Sequence, residues 1–354
     1  MEKIKLLIVD DSEVVRSILK EIFSQDKDLV VVGEATNGKE AIEMTKELKP
    51  NLITMDIQMP EMDGFEATEE IMAFHPTPIL IFSSAIDKSE KYTGIKAISL
   101  GALDVLSKPE ISETNFFELS GKIINKVKTL SRINVVHHIR GKIKKRKKST
   151  EAKFSEIIGQ YKITNLHGYI IVAGISTGGP AALNKFLSGF PKNFPASILI
   201  VQHISEGFID VLVDYLSKNT ELRIKVGEDN ELIENGTVYF APDGGHLLIE
   251  KNMKLRIDRE SPPWNEHKPS INHLFKSAAK NLRNKVIGVI MTGMGFDGSE
   301  GIVEIHNNNG ITIAQSVDSA LISSMPESAI STGKIDYIID LEEISSFISN
   351  KIME

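Results

Sequence analysis

The chain contains no cysteine, so disulfides, thiol nucleophiles and cysteine-ligated zinc are excluded together. It also lacks the H-x-x-x-H and HExxH spacings that place two imidazoles on one helix face, so a catalytic zinc is not expected. Long apolar runs are missing as well. No stretch approaches the ~20 residues that cross a bilayer, which implies no membrane insertion. The opening MEKIKLLIVDDS has an unbroken apolar run of only four residues before two aspartates and does not read as a signal peptide. Positive charge is not in excess: the net charge of -7 argues against a nucleic-acid binder. Aromatic residues are few, and the single tryptophan, Trp264, follows two prolines. It reads equally as an exposed loop residue near a substrate or as a packing residue.

What is present is ordinary for globular protein, with 41% hydrophobic and 25% charged residues. A length of 354 residues suits two domains. Strand-like runs alternate with amphipathic stretches from the start: LLIVD ending at Asp10, VVVGEA at 30–35, LITMD ending at Asp56, PILIFS ending at Ser83 and DVLSK ending at Lys108. Continuous apolar runs of this kind suit strands buried on both faces of a parallel sheet. Residues 12–23 and 38–49 repeat apolar positions at helical spacing. Periodicity fades over 125–158, and residues 140–148, RGKIKKRKK, carry seven positive charges and no acid. This reads as a solvated linker or as an electrostatic contact with an acidic partner. Alternation resumes with strands expected at 169–175, 197–202, 237–242, 247–250, 254–258, 286–292 and 311–315, and helices at 180–190 and 269–282. A β-hairpin insert is expected near 237–258.

In a 2-1-3-4-5 strand order, Asp10, Asp11 and Asp56 converge at the carboxyl ends of neighbouring strands. Three carboxylates in one cleft repel each other and invite a hard divalent cation, most plausibly Mg²⁺. Lys108 and Ser83 follow or close adjacent strands and offer an ammonium and a hydroxyl. A carboxylate so flanked is a phosphoryl acceptor. Together with MDIQMPEMDG at 55–64, these residues give segment 1–124 a pattern that resembles a response-regulator receiver domain, with a flavodoxin-like (βα)5 fold. The resemblance implies phosphorylation at Asp56, metal held by Asp10, Asp11, Asp56 and the Gln58 backbone carbonyl, and phosphate sensing by Ser83 and Lys108. Val105 stands where many receivers have an aromatic three residues before the lysine, which questions a switch by aromatic rotation.

GISTGGP at 174–180 follows an apolar strand and precedes a helical pattern. Alone it fits either a nucleophile elbow at Ser176 or a phosphate-binding turn. His203 ends the next strand in IVQH, and Asp297 lies in the glycine-rich TGMGFDGSEG after another. A serine, a histidine and an aspartate at strand ends are the parts of a nucleophilic hydrolase, here in the chain order Ser, His, Asp. The ordered motifs STGGP, IVQH, YFAPDGGH, HKPS, TGMGFDG and SMPESA resemble the catalytic domain of the CheB family of protein-glutamate methylesterases. That resemblance implies a Rossmann-like three-layer domain over 159–354, joined to the receiver by a basic linker at 125–158. It makes Ser176 the nucleophile, His203 the base, Asp297 its orienting partner, and the backbone amides of Met294 and Thr177 oxyanion donors. It implies ester hydrolysis with no cofactor, and deamidation of glutamine by the same acyl chemistry. It further implies chemoreceptors as substrates, a chemotaxis histidine kinase as phosphodonor, and a cytoplasmic location. Glu327 in MPESA departs from the arginine common in the family. His246 and His267 lie in family-like motifs and either line the cleft or serve turns and packing. His273 falls on a helical pattern as a surface or packing residue. His75, His137, His138, His167 and His306 show no partner pattern.

Overall fold

The computed structural model describes residues 3–83, 88–108, 116–133, 135 and 168–353. The chain divides into two units, Met1–Arg140 and Gly141–Glu354. The basic stretch at 140–148 and His137, His138 and His167 lie outside the described residues.

In the first unit, β1 (Ile4–Val9), β2 (Leu29–Ala35), β3 (Leu52–Asp56), β4 (Ile79–Ser83) and β5 (Asp104–Ser107) alternate with five helices. These are α1 (Glu13–Ser24), α2 (Gly38–Leu48), α3 (Gly64–Phe74), α4 (Lys88–Ser99) and α5 (Phe116–Leu130). The sheet is parallel in the expected order β2-β1-β3-β4-β5. Central β3 is buried at every position, which its apolar sequence LITMD permits once helices cover both faces. Local signals start the helices. Ser12, Asn37 and Asp63 accept from the amides of Val15, Glu40 and Glu66, supplying partners for orphan first-turn donors. The linker expected from residue 125 begins inside α5. Its Lys126 reaches Asp104 at 2.6 Å, and its Lys128 reaches Asp26 and Asp28 at 2.9 and 2.7 Å, so those lysines fasten the helix to the first unit.

The second unit runs β6 (Ile170–Ile175), α6 (Gly179–Ser188), β7 (Ser197–Gln202), α7 (Ile209–Ser217), β8 (Arg223–Val226) and β9 (Thr237–Phe240). It continues with β10 (His246–Ile249), β11 (Leu255–Asp258), α8 (Ile271–Leu282), β12 (Val286–Ile290), α9 (Ser299–Asn307), β13 (Ile311–Gln315), α10 (Ser324–Ser331), β14 (Tyr337–Ile339) and α11 (Leu341–Met353). Seven strands form a parallel sheet ordered β14-β13-β12-β6-β7-β9-β8. The chain starts at the centre, builds outward through β7, then returns to build the other half from β12. This reversal puts a topological switch point between β6 and β12, where open α/β sheets place their sites. The hairpin is smaller than expected. Only β10 and β11 pair antiparallel, while β9 joins the main sheet between β7 and β8. Among the described residues no helix is long and apolar enough to cross a membrane.

Close approach between sheet and helix sets the site's geometry. A Cβ at Gly174 would lie 2.3 Å from Ile271 Cγ2, so α8 sits hard against the end of β6 because residue 174 has no side chain. Gly174→Ala should overpack this contact and destabilise the unit by about 1–3 kcal/mol. Thermal or urea unfolding of the purified chain measures it, and an unchanged midpoint would contradict the packing described.

Candidate active site and phosphoacceptor cluster

Register delivers two of the three expected groups. Ile175 pairs with Gln202 at the ends of β6 and β7, so Ser176 and His203 are the next residues on neighbouring strands. The His203 amide donates to the Ile175 carbonyl at 2.9 Å. The Gln202 carboxamide, almost fully buried, donates to the Ser176 and His203 carbonyls at 2.9 and 2.8 Å. It clamps the two backbones together. Ser176 N–H donates to Thr292 O at 3.0 Å across the switch point, so the loop after β12 lies beside the serine. That approach depends on Gly293, where a Cβ would fall 2.7 Å from Ser176 Cβ and 2.2 Å from Met325 Sδ.

Asp297 is brought in by the same loop and is buried. Its Oδ1 accepts from Ser270 Oγ at 3.1 Å and Asn272 N at 3.0 Å. Its Oδ2 accepts from Ile271 N at 2.7 Å and His203 Nε2 at 3.0 Å. The carboxylate therefore sits on the positive N-terminus of α8, where backbone donors and the helix dipole favour negative charge. Burial pushes its pKa up, but the His203 bond and charge and the Ile271 and Asn272 amides outweigh burial and hold it below the usual carboxylate range. A carboxylate accepting from Nε2–H leaves the imidazole proton there and the Nδ1 lone pair free. Among the described residues Nδ1 is buried and has no hydrogen-bond partner, so Ser176 Oγ is not bonded to it. Such bonds commonly tighten only when substrate is bound.

The first turn of α6 points its amides toward the serine side of the site. Its N-cap is Gly178, no side chain caps it, and it carries no acid in the first turn. Neither the Thr177 nor the Met294 amide takes part in the hydrogen bonds found among the described residues.

The other histidines divide clearly. His267 stacks on His203 with ring centroids 3.9 Å apart and planes 7° from parallel, a contact that the sequence did not disclose. His246 is fully buried and stacks on His273 at 3.9 Å. His306 has a partner after all: its Nδ1 lies 3.3 Å from Asp336. Trp264 packs edge-on against Phe296, which is itself 54% exposed. Glu327 is exposed on α10 and accepts from Ser323 Oγ at 2.8 Å.

In the first unit, Val9 pairs with Met55, which sets Asp10 and Asp56 side by side after β1 and at the end of β3. Asp10 and Asp56 are buried and Asp11 is exposed, with one oxygen of each within 4.8 Å of the others. Lys108 Nζ lies 2.8 Å from Asp56 Oδ2 and 3.2 Å from Asp10 Oδ2. These are contacts of charge rather than aligned hydrogen bonds, and Asp56 Oδ1 has no partner among the described residues. Buried carboxylate oxygens left without donors, gathered with an exposed acid, fit a hard divalent cation. Burial, then the charge of Asp10, raises the Asp56 pKa to about 7 against the pull of Lys108. Burial likewise raises Asp10, against Lys108 and the Ser12 amide. Burial opposes the charge of Lys108, but its close contacts with and Coulomb attraction to Asp56 and Asp10 raise its pKa. Ser83 closes β4 beside Ser107, and Gln58 lies on the loop leaving Asp56. Val105 is buried in β5 opposite Ile81.

Residues 171–348 match the family model described as CheB methylesterase, and residues 6–117 match that of the response regulator receiver domain. The chain is 37% identical to "Protein-glutamate methylesterase/protein-glutamine glutaminase 2" of Methanospirillum hungatei, covering 92% of each sequence. It is 35% identical to the protein-glutamate methylesterase/protein-glutamine glutaminase of Caldanaerobacter subterraneus, over 100% of this chain and 98% of that one. Its second unit resembles the crystal structure of the Thermotoga maritima CheB methylesterase catalytic domain. The TM-score is 0.51 at 36% identity, covering 52% of this chain and 98% of that domain.

The Asp56 environment generates a pH test. Its folded pKa lies above the value near 3.8 of an unhindered carboxyl, so its contribution is fully favourable below about pH 4 and is lost as pH rises through about 7. Without divalent cation, Asp56→Asn should therefore stabilise the first unit at pH 8 by about 1–3 kcal/mol, with the gain shrinking toward pH 5. Melting curves of wild type and variant at the two pH values check the sign. Added Mg²⁺ should narrow the difference at pH 8.

Proposed function

Because the chain belongs to the CheB methylesterase family, we propose that it hydrolyses glutamate methyl esters on cytoplasmic segments of chemoreceptors through Ser176, His203 and Asp297. The observation that carries this reading is the Asp297–His203 pair, which leaves a buried Nδ1 lone pair at the strand end beside Ser176. His203 Nδ1 takes the Ser176 proton as Oγ bonds to the ester carbonyl carbon. Asp297 stabilises the imidazolium that forms, and the Thr177 and Met294 amides stabilise the tetrahedral oxyanion. Collapse breaks the bond to the methoxy oxygen, which leaves as methanol with the proton from Nδ1. Water, deprotonated by the same nitrogen, then releases the glutamate carboxylate and restores Ser176. A glutamine side chain follows the same path with ammonia as leaving group.

The first unit serves as a phosphorylation switch in this reading. Asp56 accepts the phosphoryl group from a chemotaxis histidine kinase, with Ser83 and Lys108 binding its oxygens. Asp10, Asp11, Asp56 and the Gln58 carbonyl would hold Mg²⁺, whose positive charge favours phosphoryl transfer to a carboxylate. Lys108, already paired to Asp56, is placed to follow the charge when an aspartyl phosphate forms. A tenfold rise in activity requires only about 1.4 kcal/mol of bias between two arrangements.

Methanol release from methylated receptors tests the chemistry. Ser176→Ala should lower it at least about 10³-fold and Asp297→Asn about 10²- to 10⁴-fold, with the fold intact by melting curves. Undiminished release by Ser176→Ala would remove the serine mechanism. For the switch, a small-molecule phosphodonor with Mg²⁺ should raise wild-type release and leave Asp56→Asn unchanged. Equal activation of both would exclude Asp56 as the acceptor.

A further inference from the structure

His246 is the first residue of β10 and is completely buried, yet the chemistry above does not use it. Both of its ring nitrogens are engaged. Nδ1 accepts from the Ser270 amide at 3.1 Å, which requires the proton to be on Nε2, and Nε2–H donates to the Pro262 carbonyl at 3.1 Å. A single ring thereby ties together the two ends of segment 262–270.

That segment meets the base twice. At its far end, Ser270 Oγ and the following amides of Ile271 and Asn272 hold Asp297, which holds His203 Nε2. Near its middle, His267 lies flat against the His203 ring. The hairpin behind His246 is itself fastened to α8. Ile249 N–H donates to Ser277 Oγ at 3.1 Å, and Asn281 Nδ2 donates to the Ile249 carbonyl at 2.6 Å. Charged and titratable groups around the ring are His273, Lys268 and Asp258. Burial, then His273, pushes the His246 pKa down, Lys268 adds to this, and the Pro262 bond and Asp258 oppose it. The neutral ring therefore keeps its acceptor lone pair at neutral pH.

We propose that His246 is a positioning residue for the hydrolysis: as an Nε2–H tautomer it fixes Ser270 and segment 262–270, so that Asp297 and His267 present the His203 imidazole to Ser176. The role rests on the assignment of His203 as the base. It explains why a hairpin that contributes no reacting atom is bonded along the helix that holds Asp297. Removing the Nδ1 acceptor frees the start of α8, and a small displacement there moves the base through the carboxylate it holds.

Two polar substitutions of similar volume separate this role from simple packing. His246→Asn keeps an acceptor at the Nδ1 position. His246→Gln sets its amide near the Nε2 position and leaves the Ser270 N–H unpaired. In the full-length chain with methylated receptor, the Asn variant should keep kcat within about threefold of wild type. The Gln variant should lose about 10- to 100-fold in kcat with KM little changed. Equal kcat in the two variants, or a loss confined to KM, would overturn the proposal. If the Gln variant does not fold, Ser270→Ala deletes the Oγ bond to Asp297 and retains the amide. That variant should show a several-fold loss in kcat alone, while the decision on His246 then rests on the Asn variant: a loss of kcat beyond about tenfold there, with the fold intact by melting curves, would overturn the role. Wild-type release by Ser176→Ala would instead overturn the serine mechanism, and this role with it.

Discussion

Asp297 is a buried group that keeps its charge, and the second unit is arranged around how it does so. Removing a carboxylate from water costs several kcal/mol unless its lone pairs find donors. Here four donors meet it: one hydroxyl, two amides at the start of α8, and the His203 ring. Each donor lies in a part of the chain distant in sequence from the TGMGFDG loop. The helix can supply its amides only because it abuts the end of β6 at a residue without a side chain. The glycine on the central strand, the apolar face of α8 and the charge on Asp297 are parts of one constraint.

That constraint settles which nitrogen of His203 is free to act. A carboxylate bonded to Nε2 leaves Nδ1 as the other nitrogen, buried and without a hydrogen-bond partner among the described residues. The parallel register then supplies proximity without any side-chain bond between serine and histidine, since Ile175 and Gln202 are opposite each other. The Gln202 carboxamide bonds both carbonyls beyond that pair and keeps the two strand ends from drifting apart. Position thus comes from backbone geometry, and orientation comes from the buried carboxylate.

Much of this was readable in the sequence because the relevant strands are buried on both faces. IIVAGI and SILIVQ have apolar residues at nearly every position, and the polar residues that follow them mark the strand ends. The first unit was legible for the same reason, including its strand order. Edge elements were harder to see. β8 reads RIKV and β14 only YII, with exposed residues that give neither a continuous nor a clean alternating pattern. TVYF falls in the 237–258 stretch where the sequence suggests a hairpin. Its partners are in fact β7 and β8, a pairing decided by the sheet rather than by local spacing. The end of α5 was missed because its lysines resemble linker residues until Asp26, Asp28 and Asp104 are seen beside them. The His203–His267 stack joins residues 64 positions apart, and no periodicity encodes it.

Two buried aspartates, Asp56 at the end of β3 and Asp297 in the loop after β12, receive opposite treatment, and the difference follows from the donors each one meets. Asp297 has its lone pairs occupied by fixed donors, which lowers its pKa and makes it a poor nucleophile but a rigid holder of an imidazole. Asp56 is as deeply buried, but its Oδ1 lacks a donor, a second carboxylate lies beside it, and its pKa rises to about 7. Such a group is poorly stabilised as it stands and gains from any positive charge or bond-forming electrophile that reaches it. A carboxylate that orients another group must be satisfied by the protein, whereas one that accepts a transferred group must be left wanting a partner. The same residue type, buried near the carboxyl edge of a parallel sheet, is thus fully satisfied by fixed donors in one unit and left partly unsatisfied in the other.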